Sequence, residues 1–188
     1  MADEFLGRKA PHFALPDVEG QRHSLDDYGG RWLLVVFLRH LACLLCREHL
    51  SQIAERQAEW ERRRVRILTV TFEPADRAKR FLADSQSEYP LLLDTERHIY
   101  AAYGMGSASI WRLAQPSTWW NYLRLFMGGW APRLPDFTDY QQLGGDVLID
   151  PEGTIRFFHA SEDPADRPRL EDIFSALDRT EAQRVVAI

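Results

Sequence analysis

The stretch that decides the fold is Val35-Val36-Phe37-Leu38-Arg39-His40-Leu41-Ala42-Cys43-Leu44-Leu45-Cys46-Arg47-Glu48-His49-Leu50. A short apolar run ends, a few residues pass, and Cys-x-x-Cys opens a helical pattern. Cys43 and Cys46 are the only two cysteines of the chain. Their spacing puts both thiols near one turn. At the start of a helix, unpaired backbone N–H groups and the helix dipole favour a thiolate. The thiolate is the nucleophilic form, and such positions lower a cysteine pKa from about 8.5 to roughly 3.5–7.5. The stretch predicts a redox-active dithiol at a strand-to-helix junction.

Three other readings compete with it. Free cysteine is among the most buried residue types, and Leu44 and Leu45 between the pair suit a core position. A structural disulfide would close a very small loop and gain little by chain entropy. His40, Cys43, Cys46 and His49 recur every third residue, which suggests a metal. Four ligands on one helical segment fan around its axis, however, and structural zinc draws ligand pairs from separate segments. The strand-to-helix setting favours the redox reading over a metal-binding protein that uses Cys43 and Cys46, and with no glycine-rich dinucleotide loop no organic cofactor is expected.

Working outward, 188 residues suffice for one full core, and a single domain over 1–188 is expected. Hydrophobic content of 45% and charged content of 27% describe a globular chain. The net charge of -5 argues against a nucleic-acid footprint. No apolar run reaches the length of a membrane span, and the acidic start Met1-Ala2-Asp3-Glu4-Phe5 lacks the core of a signal peptide. Two cysteines are no secreted disulfide framework, so a cytoplasmic location is expected.

Trp32 to Leu38 reads as a central strand covered on both faces, followed by a helix from about Cys43 to Arg63. Val65 to Phe72 is the next buried strand, Glu73-Pro74-Ala75-Asp76 starts a helix, and Tyr89 to Asp94 is a short strand. Thr95 to Tyr103 reads as a helix stopped by Gly104. The alternation suits a parallel sheet with helical crossovers. Asp146 to Asp150 and Thr154 to His159 flank Pro151-Glu152-Gly153 as a hairpin. Pro168 to Thr180 is a final amphipathic helix with Leu170, Ile173, Phe174 and Leu177 inward, fraying from Glu181.

The opening segment carries Ala10-Pro11, Phe13, Leu15, Asp17, Gly20, Ser24-Leu25 and Tyr28 to Gly30. In that order these residues resemble the thioredoxin-like superfamily, in its peroxiredoxin (alkyl hydroperoxide reductase and thiol-specific antioxidant, AhpC/TSA) branch. Phe37-Leu38-Arg39 before Cys43-x-x-Cys46-Arg47-Glu48, and Gln142 to Asp150 with Gly153, resemble its peroxiredoxin-like 2 group. The resemblance implies an α/β thioredoxin-like fold, a central mixed sheet flanked by helices, with an N-terminal peroxiredoxin-type extension. It implies an antioxidant, thiol-dependent oxidoreductase that uses Cys43 and Cys46 to reduce peroxides or disulfides. Cys43, nearer the helix start, is expected to attack, with the lower pKa and the greater exposure, and Cys46 to resolve. Arg39 and His40 are expected to add positive charge beside Cys43, and Arg39 is the third candidate catalytic residue. The runner-up is a non-catalytic redox sensor or interaction module whose dithiol only switches state.

Two positions depart from the peroxiredoxin pattern. His40 stands where Pro-x-x-x-Thr-x-x-Cys carries its threonine, and Gly144-Gly145 stand where an arginine lies near the strand. The expected partners are an external thiol reductant of thioredoxin or glutathione type and a peroxide or disulfide substrate. Residues 105–143 break the rhythm as an insertion that holds Trp111, Trp119, Trp120 and Trp130, four of the six tryptophans. A helix from Trp119 to Met127 is expected there, ended by Gly128-Gly129. The insertion reads as extra core, as a homodimer interface or as an apolar substrate wall.

Overall fold

The computed structural model describes residues 2–85, 87–107, 120, 124, 127, 139–163 and 165–186. Along these the chain runs α1 (Ala2–Phe5), β1 (Ala14–Pro16), β2 (Arg22–Ser24), a 3₁₀ turn (Leu25–Tyr28), β3 (Trp32–Phe37), α2 (Leu44–Glu55) and α3 (Gln57–Arg62). It continues with β4 (Val65–Thr71), α4 (Ala75–Ser85), β5 (Leu91–Leu93), α5 (His98–Ala102), β6 (Gly145–Ile149), β7 (Ile155–Ala160) and α6 (Leu170–Val186).

The main sheet has the order β5-β4-β3-β6-β7. β3 pairs in parallel with β4, and β4 with β5, as helical crossovers require. β6 is antiparallel to β3 and to β7, which makes the sheet mixed. Every residue of β3 is buried because both faces are covered. Leu34 and Val36 face a core with Ile53, Trp60, Ile173 and Phe174 from the helices. Leu33, Val35 and Phe37 face the other core, with Phe13, Tyr100, Tyr103 and Met105. The β1–β2 hairpin turns with Gly20 at φ 84 and the Asp17 carboxylate accepting from the Glu19 and Gln21 amides.

Three boundaries differ from expectation. The helix expected from Cys43 to Arg63 is two helices, broken at Arg56 (φ -101, ψ 18). The break lets Trp60 pack on Phe174 at 4.2 Å between ring centres, while its indole N–H donates to the Ile53 carbonyl at 2.9 Å. The helix expected from Thr95 begins only at His98, because the Asp94 carboxylate accepts from the Ile99 and Tyr100 amides and sets the first turn there. The last helix does not end at Thr180 but runs to Val186, where Glu181 accepts from the Trp32 indole at 2.6 Å. Leu170, Ile173, Phe174 and Leu177 are all buried, as the periodicity predicts.

The helix expected over Trp119–Met127 and most of the insertion lie outside the described residues. Its stem is described. The Leu143 amide donates to the Gly106 carbonyl at 3.0 Å, and the Gln142 side-chain amide reaches the carbonyls of Met105, Gly106 and Leu143. The two ends of the insertion are therefore clasped at the end of the sheet where β3 delivers the dithiol.

Candidate active site

β3 ends at Phe37, and the loop behind the cysteines is fixed from several directions. The Leu38 amide donates to the Val70 carbonyl at 2.9 Å, and the Tyr100 hydroxyl sits on the carbonyls of Leu38 and Val70. The buried Glu73 carboxylate accepts from the Leu41 amide at 2.8 Å. Cys43 is the N-cap of α2, with extended backbone (φ -69, ψ 114), and its Sγ accepts from the Cys46 amide at 3.4 Å. A sulfur replaces the usual oxygen of an N-cap and takes up one of the helix's unpaired N–H groups.

Both thiols are free. The exposure expected of Cys43 is not found: it is 0% exposed, and Cys46 is 3%. The surroundings also act differently on the two sulfurs. Burial opposes a thiolate at Cys46, but the hydrogen bond from the Cys43 thiol and the Arg167 guanidinium outweigh it, so its pKa is held well below the ordinary range. The backbone N–H of Arg39 adds to this. Donating to Cys46, being buried, and lying beside the Cys46 charge all push the Cys43 thiol well up. The helix terminus alone favours the first cysteine; a guanidinium brought in by tertiary structure favours the second.

That guanidinium belongs to Arg167, in the loop before α6. Its Nη2 donates to Cys46 Sγ at 3.1 Å, and Nη1 and Nη2 each lie 3.2 Å from the Phe37 carbonyl. Nη1 also meets Asp146 Oδ2 at 3.4 Å, and Asp146 Oδ1 accepts from His49 Nε2 at 2.8 Å. Gly144 makes room for the arrangement: a Cβ there would stand 2.1 Å from the Phe37 oxygen and 2.8 Å from Arg167 Nη2. The place where the sequence shows glycines instead of an arginine is thus filled by an arginine from further along the chain. Sequence reading missed Arg167, Asp146 and His49 as a group, because no local pattern links residues so far apart.

Arg39 lies at the pair but is buried and turned aside. Its Nη1 donates to His40 Nε2 at 3.3 Å and its Nη2 to the Tyr140 carbonyl. His40 does not add the positive charge expected of it. Burial, with Arg39 beside it, lowers its pKa to about 4, so it is neutral at physiological pH. Glu48, a possible opponent of the thiolate, pairs with Arg124 at 3.0 Å. Among the described residues no group of three or more His, Cys, Asp or Glu side chains is placed to hold a metal ion, and His49 is committed to Asp146. A cleft of about 400 Å³ between α2 and the loop before α6 is lined by Glu48, His49, Arg124, Arg167 and Arg169, and neither sulfur lines it.

A mixed sheet of this order, with Cys-x-x-Cys opening the helix after the central strand, defines a thioredoxin-like fold. The crystal structure of the Plasmodium vivax 2-Cys peroxiredoxin superposes with a TM-score of 0.66 at 15% identity, covering 96% of this chain and 98% of that one. Peroxiredoxin 6 of Arenicola marina gives 0.70 at 13% identity over 94% and 73%. The sequence model of the AhpC/TSA family matches residues 6–158, and the chain belongs to that family. Among curated relatives, thiol-disulfide oxidoreductase ResA of Geobacillus thermodenitrificans is 29% identical over 102 residues. That match covers 54% of this chain and 58% of the relative. Among the described residues no helix is long and apolar enough to cross a membrane.

Proposed function

We propose that this protein is a thiol-dependent oxidoreductase in which Cys46 is the resting thiolate and Cys43 its partner. The observation that carries the reading is the Arg167 contact to Cys46 Sγ at 3.1 Å, one helical turn from Cys43. A guanidinium on a buried sulfur stabilises the thiolate, which is the form that reacts. With a disulfide R–S–S–R′, the Cys46 thiolate forms a Cys46–S–S–R bond and releases R′–S⁻, which takes the Cys43 proton. The Cys43 sulfur then displaces R–S⁻ and closes the Cys43–Cys46 disulfide. With a hydroperoxide, the O–O bond breaks, Cys46 becomes a sulfenic acid and an alcohol leaves after protonation. Cys43 then displaces water. An external thiol reductant, of thioredoxin or glutathione type, returns the pair to the dithiol. Arg39 is a positioning group here, since its guanidinium is engaged with His40 and Tyr140.

Burial of both sulfurs favours small substrates, or a second reading in which the pair is a non-catalytic redox switch. Turnover separates the two. Stopped-flow tryptophan fluorescence with hydrogen peroxide, an organic hydroperoxide and a disulfide reagent, each with a recycling reductant, is the test. Sustained turnover that needs both cysteines supports the enzyme. A single oxidation without recycling supports the switch. A cytoplasmic location and a homodimer through residues 105–143 belong to the same proposal, although most of that segment lies outside the described residues.

A further inference from the structure

Arg167 serves two anions at once. One edge of its guanidinium meets Cys46 and the other meets Asp146, while the Phe37 carbonyl accepts from both Nη1 and Nη2 and holds it independently of either. Asp146 is 0% exposed, His49 is 3% and the Arg167 side chain is 9%, so solvent screens the trio little. In the reduced protein the Arg167 guanidinium meets two acidic groups, the Asp146 carboxylate and the Cys46 sulfur. When the dithiol is oxidised by a disulfide substrate, two electrons pass to that substrate, the Cys43 proton goes to the departing thiolate, and the Cys46 charge disappears. Of the two acidic groups that Arg167 contacts, only Asp146 then keeps a charge. A buried cation left without a partner is strongly unfavourable.

We propose that Asp146 is the counter-ion that exchanges Arg167 with Cys46 between the two redox states, and that it thereby sets both the reactivity of Cys46 and the potential of the dithiol. Asp146 competes for the guanidinium in the reduced state and neutralises it in the oxidised state. His49, on α2, holds the far oxygen of the carboxylate and keeps the near one turned to Arg167. The other charged or titratable groups that face the site are Arg39 and the neutral His40 from the β3–α2 loop, Cys43 at the helix start, and His159 of β7 with its partner Asp166. Asp146 is a positioning and charge-balancing residue and touches neither sulfur. The proposal rests on the oxidoreductase reading through the existence of two redox states and through the thiolate at Cys46.

The test compares Asp146→Asn with Arg167→Gln on the full chain, and its signs are opposite. Removing the carboxylate leaves the guanidinium wholly to Cys46. The thiolate absorbance at 240 nm then titrates about one pKa unit lower, a tenfold gain in thiolate-to-thiol ratio. In glutathione redox buffers the dithiol becomes more oxidising by up to the same tenfold factor, about 30 mV for two electrons. Arg167→Gln moves both readouts the other way. Shifts of the same sign in the two variants mean general disruption and overturn the proposal, as does an unchanged titration in Asp146→Asn. If that variant does not fold, the unmodified protein supplies the reading. The Asp146 ¹³Cγ resonance of the reduced form titrates together with Cys46 and is flat over the same range in the oxidised form. A resonance flat in both states overturns the proposal. A wild-type pair that forms no Cys43–Cys46 disulfide removes the oxidoreductase reading and the proposal together, whereas a pair that cycles while the Asp146→Asn titration is unchanged removes the proposal alone.

Discussion

Arg167 Nη2 lies 3.1 Å from Cys46 Sγ, joining residues 121 positions apart in sequence. This contact favours charge on Cys46, while Cys43, at the N-cap, is pushed towards its protonated form by its hydrogen bond to Cys46 and by burial.

The two cysteines are therefore expected to react in the reverse of the order that position along the helix suggests. In Cys43→Ser, Cys46 still attacks a disulfide reagent and stops as a mixed disulfide. In Cys46→Ser, Cys43 stays buried without the Arg167 contact that Cys46 makes, and it reacts more slowly at neutral pH than Cys46 does in Cys43→Ser. Mass spectrometry of the trapped adducts and single-turnover rates check this. Equal rates in the two variants contradict it.

Gly144 is required by space, not by backbone freedom. Gly144→Ala places a Cβ against the Phe37 oxygen and Arg167 Nη2, so it should destabilise the fold by about 1–3 kcal/mol. It should also loosen the arginine and raise the Cys46 pKa. Urea unfolding and thiolate titration measure the two effects together, and a neutral substitution shows that the close approach is absent in solution.

Tyr100 holds the site loop from behind through its hydroxyl on the Leu38 and Val70 carbonyls. Tyr100→Phe keeps the ring packed against Phe37 and Phe72 and removes only those bonds. The expected loss is about 1 kcal/mol, with faster alkylation of the buried thiols as the loop opens more often. An unchanged alkylation rate shows that access to the sulfurs does not pass through this loop.

His40 makes stability depend on pH. Its pKa is about 4 in the folded protein against an ordinary 6.5, so the unfolded chain binds the extra proton between those values. Its contribution is intact above pH 6.5, is lost as the pH falls towards 4, and amounts to on the order of 3 kcal/mol. His40→Asn should flatten that part of the curve relative to the wild type. Denaturant midpoints at pH 7, 5.5 and 4.5 for both proteins give the comparison, and parallel curves rule the assignment out.

Much of the architecture is legible because it is local. The apolar run Trp32 to Leu38 announces a strand buried on both faces, and the spacing of Leu170, Ile173, Phe174 and Leu177 announces the inward stripe of α6. Pro151-Glu152-Gly153 announces the β6–β7 turn, where Gly153 takes φ 78. The break at Arg56 and the extension of α6 past Thr180 are not legible in this way. Each is settled by a distant partner: Phe174 for Trp60, and Trp32 for Glu181.

The same division runs through the site. By itself the sequence determined that two thiols stand one helical turn apart at the end of a central strand, because strand and helix periods set that spacing. Only the tertiary structure decided that both sulfurs are buried, that His40 is pushed towards its neutral form, and that Arg167 lies between Cys46 and Asp146. The charge on a buried group depends on what is packed within a few ångströms of it, and here the α6 loop, β6 and α2 supply those neighbours from distant parts of the chain.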